Sequence, residues 1–152
     1  MPTYVCSVPA GSLNAAQKIL IAQAITRIHS ESTGAPQFFV QVIIDENHSA
    51  DRFLGGRPTT SHIWIRGDIR ASRTKEQREK LILNIMKEVS RITALDENSI
   101  WIYLCNLEAT DMIEYGHVLP APCEEQAWFD KLPRSLQDYL AALGANKKKF
   151  SL

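Results

Sequence analysis

The chain opens with Thr3-Tyr4-Val5-Cys6-Ser7-Val8, a short run of strand formers that Pro9-Ala10-Gly11 breaks. The period then changes. Leu13, Leu20, Ile21, Ala24, Ile25 and Ile28 recur at helical spacing, which predicts an amphipathic helix capped by Ser12 and stopped by Gly34 and Pro36. Phe38-Phe39-Val40-Gln41-Val42-Ile43-Ile44 is nearly continuously apolar and predicts a strand covered on both faces. The same order returns further on. His62-Ile63-Trp64-Ile65-Arg66-Gly67-Asp68-Ile69 alternates as a strand does, and Thr74 with Gln77 forms a capping box. Leu81, Ile85, Met86, Val89 and Ile92 make a second helical stripe, and Ile100-Trp101-Ile102-Tyr103-Leu104 closes the series as a strand. Residues 47–61, with Gly55-Gly56, predict a loop, and an irregular stretch runs through Pro120-Ala121-Pro122. A last helix is expected over 124–143, interrupted near Pro133, before a solvated end at Lys147-Lys148-Lys149.

The recurrence is an internal repeat with an offset of about 60 residues. Tyr4 aligns with Trp64, Gln17 with Gln77, Ile25 with Ile85, Val40 with Ile100 and Val42 with Ile102, with no gap needed. The chain therefore reads as βαβ twice: one α/β (α+β) domain over 1–152, with copies at about 2–46 and 62–106 and a C-terminal extension over 107–152 that includes a short helix. Right-handed crossovers place both helices on one face of a shared four-stranded sheet. The other face has no cover within the chain, and strands this apolar predict that other copies cover it in a closed oligomer.

Charge narrows the partners. Seventeen basic and seventeen acidic residues cancel, so no extended basic field is available for nucleic acid or an anionic membrane. No apolar run reaches the roughly 20 residues of a membrane helix, and the N-terminus does not read as a secretion signal. Cys6, Cys105 and Cys123 are an odd, scattered set without a CxxC, which fits a reduced, cytoplasmic chain. The four histidines, His29, His48, His62 and His117, lack metal-ligand spacing.

Several residues can carry chemistry. Removal of Met1 would leave Pro2 with a secondary amine, able to act as a general base when neutral and a general acid when cationic. The strand that follows holds it on a rigid element. Arg70 and Arg73 fall where a strand hands over to a helix N-terminus and bring two planar forks suited to a carboxylate. His29, at the end of the first helix, is placed to be protonated by the helix dipole and to bind an anion. Glu114 lies among apolar neighbours and Tyr103 within the last core strand, and either could orient a water. In each case a plain structural role competes: a surface glutamate, a core tyrosine, an exposed basic loop. The repeat aligns Pro2 with His62 and Arg70 with Ala10, so the two copies have divided the work.

Taken in order, Pro2-Thr3-Tyr4, Ala24-Ile25-Thr26 leading to His29, Phe53-Leu54-Gly55-Gly56, Arg70 with Arg73, Ile100-Trp101-Ile102-Tyr103, Glu114-Tyr115-Gly116 and Trp128-Phe129 resemble the tautomerase superfamily. The duplicated form with a long C-terminal region is most similar to the cis-3-chloroacrylic acid dehalogenase group. The resemblance runs from Pro2 to about residue 132. It implies a tautomerase-like fold, a homotrimer, no metal or organic cofactor, and a small carboxylate substrate. It implies Pro2 as general acid or base, His29, Arg70 and Arg73 as carboxylate contacts, and Tyr103 with Glu114 as the water-activating pair. The expected reaction is hydration or hydrolytic dehalogenation of a cis-3-haloacrylate-like acid, or keto-enol tautomerisation. The alternative is a cytokine-like signalling protein on the same fold. The chain departs from the family pattern at His117, where an arginine is expected, and in the 47–61 loop and the C-terminal tail.

Overall fold

The computed structural model describes residues 2–47, 50–121 and 123–143; the basic tail and Met1 lie outside them. The first copy runs β1 (Thr3–Ser7), α1 (Ala15–Thr33), a 3-10 turn (Gln37–Phe39) and β2 (Gln41–Asp45). A hairpin of β3 (Phe53–Leu54) and β4 (Arg57–Pro58) leads to the second copy: β5 (Ile63–Arg70), α2 (Lys75–Thr93), a 3-10 turn (Glu97–Ser99) and β6 (Ile100–Leu107). The extension holds a turn at Ala109–Asp111, a hairpin of β7 (Ile113–Glu114) and β8 (His117–Val118), and the short helices α3 (Glu125–Asp130) and α4 (Arg134–Ala142).

The four long strands form one sheet in the order β2-β1-β5-β6. β1 and β2 are parallel, as are β5 and β6, and the two copies meet through antiparallel β1 and β5. Both helices lie on one face. Ile21, Ile25, Ile28, Leu81, Ile85 and Val89 pack there against Tyr4, Cys6, Ile63, Ile65 and Ile69. A second, smaller cluster joins Phe38 and Phe39 to Phe129, Leu132 and Leu140 of the extension. The opposite sheet face is open: Ile43, Trp101 and Tyr103 are all at least 42% exposed there. Cys6, Cys105 and Cys123 are free thiols. Among the described residues no helix is long and apolar enough to cross a membrane.

The repeat is close in backbone terms. α1 and α2, each 19 residues long, begin and end 60 positions apart, and so do the two 3-10 turns that follow them. The capping box at Thr74 and Gln77 forms as the spacing predicts. Its counterpart in the first copy is Asn14 with Gln17, not Ser12. The Ser12 hydroxyl donates instead to the Pro9 carbonyl at 2.7 Å, closing the turn before the helix. Leu20 of the predicted apolar stripe is also 46% exposed.

Three further expectations are corrected. Phe38 and Phe39 are not in a strand. After Pro36 the chain makes a 3-10 turn, and both rings leave the sheet to join the extension, Phe38 to Phe129 at 6.2 Å and Phe39 to Trp128 at 5.5 Å between centroids. The 47–61 segment is not all loop, because Gly55 and Gly56 both take positive φ and close the β3–β4 hairpin. The first strands align with an offset of 61, not 60. Thr3 pairs with Gln41 in the first copy, whereas in the second Trp64 pairs with Trp101, which corresponds to Gln41. Burial agrees: Tyr4 faces the helices as Ile65 does, while Trp64 faces the open side. Pro2 therefore corresponds to Ile63 rather than His62. A one-residue slip turns every side chain to the other face.

Candidate functional site

Pro2 is fully buried at the start of β1, and its carbonyl accepts the Gln41 N–H at 3.0 Å. That bond fixes the first residue of the strand to β2. The parallel and antiparallel registers bring Thr3 beside Gln41 and Asp68, and Arg70 beside Leu107. The entry to β1 and the far ends of β5 and β6 thus share one end of the sheet.

His29 reaches the same end from α1. Its Nδ1 and the Tyr4 hydroxyl are 2.8 Å apart, with both side chains buried. The Tyr4 ring can lie there because residue 67 is glycine. A methyl group on Gly67 would meet the Tyr4 ring at 2.5 Å and Leu104 at 2.9 Å. Burial, then the charge of Arg73 and more weakly that of Arg70, push the His29 pKa down to about 3. This corrects the expectation of a cationic His29, since desolvation outweighs the helix dipole. If the phenol donates to Nδ1, the neutral ring carries its proton on Nε2, as a hydrogen-bond donor without charge.

The two arginines differ. Arg73 is half-buried, and one Nη donates to the Thr33 carbonyl at 3.0 Å, satisfying a C-terminal carbonyl of α1. Burial and the neighbouring Arg70 lower its pKa. Arg70 is buried at the end of β5, where one Nη donates to the Pro120 carbonyl at 3.2 Å and the other to the Glu125 carboxylate.

A cleft of about 700 Å³ opens beside Thr3, Gln41 and Asp68 and is walled by Phe38, Phe39 and the extension from Asp111 to Tyr115. Glu114 lines it. The β7–β8 hairpin holds Glu114 opposite His117, and the Tyr115 hydroxyl ties the loop down by donating to the Phe38 carbonyl at 2.6 Å. Pro2, His29, Arg70 and Arg73 do not line the cleft; Pro2 adjoins it through Thr3 and Gln41. Among the described residues no three side chains converge as metal ligands.

Residues 1–131 match a protein family described as "Putative oxalocrotonate tautomerase enzyme". The chain belongs to the tautomerase superfamily. Among solved structures, the chain is similar to a member of the cis-3-chloroacrylic acid dehalogenase family, at 34% identity and a TM-score of 0.88, covering 92% of this chain and 99% of that one. It shares its fold with a wild-type fused 4-OT that is an asymmetric trimer, at 22% identity and a TM-score of 0.71, covering 83% and 98%. It also shares its fold with the macrophage migration inhibitory factor of Toxoplasma gondii, at 15% identity and a TM-score of 0.65, covering 77% and 99%. No curated protein matches the sequence.

Two placements are not legible in the sequence. Tyr103 is not near Pro2 within the chain. It is half exposed on the open sheet face, packed edge-on against Trp64 at 5.9 Å, and lines a separate groove with Arg52, His62 and Trp101. Four strand positions, roughly 13 Å, separate it from Leu107 at the cleft. Glu125, in contrast, is not among the residues the sequence singles out, and it is 4% exposed against Arg70. The signal for it is its spacing four residues before buried Phe129, which sets it on the inward face of α3.

Proposed function

We propose that the protein is a cofactor-independent enzyme that uses the amine of Pro2, freed of Met1, on small unsaturated or 2-oxo carboxylates. What supports the reading is one arrangement in a chain of this superfamily: a buried proline at the start of a core strand, and His29, hydrogen-bonded to Tyr4 two residues further along that strand and within the field of Arg73 and Arg70. The carboxylate of the substrate docks at the Arg73 end, with Arg70 behind it and the His29 ring as a neutral donor. In tautomerisation, neutral Pro2 takes a proton from the enol oxygen and returns it to carbon. In hydration, Glu114 takes a proton from water as the oxygen bonds to the β-carbon, and cationic Pro2 protonates the α-carbon. With a 3-halo substrate, the new hydroxyl then gives up its proton as the halide leaves the same carbon, and that carbon becomes a carbonyl.

Tyr103 enters this scheme only from another copy. The open face that carries it needs cover, and a homotrimer on that face would deliver the phenol to a neighbour's cleft. The likeness to the Toxoplasma factor is one of fold and favours no signalling reading.

The test is Pro2→Ala, with removal of Met1 checked by intact mass in both proteins. Turnover of an enol 2-oxo acid and of a cis-3-haloacrylate should each fall by about 10²–10⁴-fold. Full activity toward both substrates would overturn the proposal.

A further inference from the structure

Among the described residues two hairpins turn on two residues each, and they fill the same backbone differently. Between the paired ends of β3 and β4 stand Gly55 and Gly56, at φ of 56° and 74°. Between those of β7 and β8 stand Tyr115 and Gly116, at φ of 54° and 79°. A tight turn with two left-handed residues suits glycine, and a bulky side chain at such a position is strained. Strain of this kind persists where surrounding contacts fix it, and it gathers at functional sites. Here the Tyr115 hydroxyl donates to the Phe38 carbonyl at 2.6 Å, and the ring stands edge-on to Tyr139 at 6.5 Å between centroids. Burial, then Tyr139, push the Tyr115 pKa up, so the phenol keeps the proton that it donates.

That bond joins two parts of the chain. Phe38 belongs to the first copy, and its turn leads into Gln41, whose N–H bonds to the Pro2 carbonyl at 3.0 Å. Tyr115 belongs to the extension and directly follows Glu114. Phe38, Gln41, Glu114 and Tyr115 all line the cleft. A continuous path therefore runs from Pro2 to Gln41, back along the turn to Phe38, and across to the residue beside Glu114.

We propose that Tyr115 is a positioning residue: its hydroxyl, anchored on the Phe38 carbonyl, holds the strained turn and so fixes Glu114 relative to Pro2 for the attack of water. This rests on the reading above that Glu114 takes the proton from water. It adds what sets the place of that carboxylate. Hydration needs Glu114 and Pro2 on one substrate at once, whereas tautomerisation needs Pro2 alone. The two reactions therefore separate this role from a general structural one.

The experiment compares Tyr115→Phe and Tyr115→Gly with the wild type, each as the full chain lacking Met1. Phenylalanine removes only the hydroxyl. Glycine suits the turn, as Gly55 does in the other hairpin, and also lacks the hydroxyl. Both variants should lower kcat for a cis-3-haloacrylate by about 100-fold with little change in KM, and both should keep kcat for an enol 2-oxo acid. Equal losses on the two substrates, or full dehalogenation by either folded variant, would sink the assignment. A second readout needs no turnover. The three-bond side-chain couplings of Glu114, measured by NMR, should report one rotamer in the wild type and averaged rotamers in both variants. Averaged couplings in the wild type, or unchanged couplings in the variants, overturn the assignment whatever the kinetics. If the wild type converts neither substrate, the proposed function fails, and the couplings alone decide the role of Tyr115. If one variant does not fold, the other is read by the same criteria.

Discussion

The two βαβ copies have nearly the same backbone and quite different side chains at equivalent positions. Helices, capping boxes and the turns after the helices coincide at an offset of 60. Even a small local motif repeats: Thr33 and Thr93 each donate to the carbonyl four residues back, and each accepts the N–H two residues on at 3.3 Å. The differences fall at positions that the shared backbone fixes but does not need. Leu13, just before the first N-cap, drops into the core, whereas its counterpart Arg73 turns to the end of α1. His29 corresponds to Val89, and Ile43 on the open face corresponds to Tyr103. The lesson is that a duplicated scaffold frees half of its equivalent positions. The first copy carries Pro2 and His29, and the second carries Arg70, Arg73 and Tyr103.

Exchanging residues between the copies tests that division. The largest effect should come from Arg73→Leu, which gives the second copy the first copy's residue. It should lower kcat/KM by about 100-fold, chiefly through KM, because a charge-assisted contact to the substrate carboxylate is lost while the scaffold already accepts leucine at the matching position. Steady-state kinetics beside a melting curve measures both; a change in melting without a change in KM would place Arg73 in structure only.

A smaller effect is expected from His29→Val. The folded-state pKa of His29 is depressed to about 3, below its unfolded value near 6.5. Between those values the unfolded chain binds a proton that the folded chain does not. Stability is therefore lost as pH falls from about 6.5 toward 3, by at most about 1.4 kcal/mol per pH unit. The variant leaves Tyr4 without its partner and is less stable at neutral pH, but this part of its acid sensitivity disappears. Urea titrations at pH 7, 6, 5 and 4 give the slope directly, and identical slopes in the two proteins would contradict the burial argument.

The smallest effect concerns the helix ends. Gly34 and Ala94 both take the left-handed conformation after their helices, at φ of 75° and 57°. Alanine tolerates this region poorly. Gly34→Ala should cost about 1 kcal/mol, and Ala94→Gly should gain up to about 1 kcal/mol, read as opposite shifts in melting temperature. Shifts of the same sign would mean that the two ends are not equivalent.

Much of the scaffold is legible in the sequence because periodicity and caps are local. Thr74 with Gln77, the stripe from Leu81 to Val89, and Gly34 as a stop each declare themselves within one or two turns. What escapes is decided across the chain. The one-residue slip between β1 and β5 appears only once Thr3 is seen opposite Gln41 and Trp64 opposite Trp101. Phe38 and Phe39 resemble a strand until a second cluster exists to draw them off the sheet. His29 has the position of a cation, and its burial against Tyr4 makes it neutral. Glu125 sits in a polar stretch after Glu124, and nothing nearby marks it as the partner of an arginine 55 residues earlier.

Arg70 follows Ile69 of the sheet's cluster, and Glu125 lies four residues before Phe129 of the extension's cluster. The sheet and its helices form one packing unit, and the aromatic cluster of the extension forms another. Regions of this kind can open separately, each with its own free energy. An opening confined to the extension would take Glu125 away from Arg70 while leaving Pro2 on its strand. A substitution at Leu140 or Phe129, far from Pro2 in the chain, would therefore change how often Arg70 is left without its buried partner.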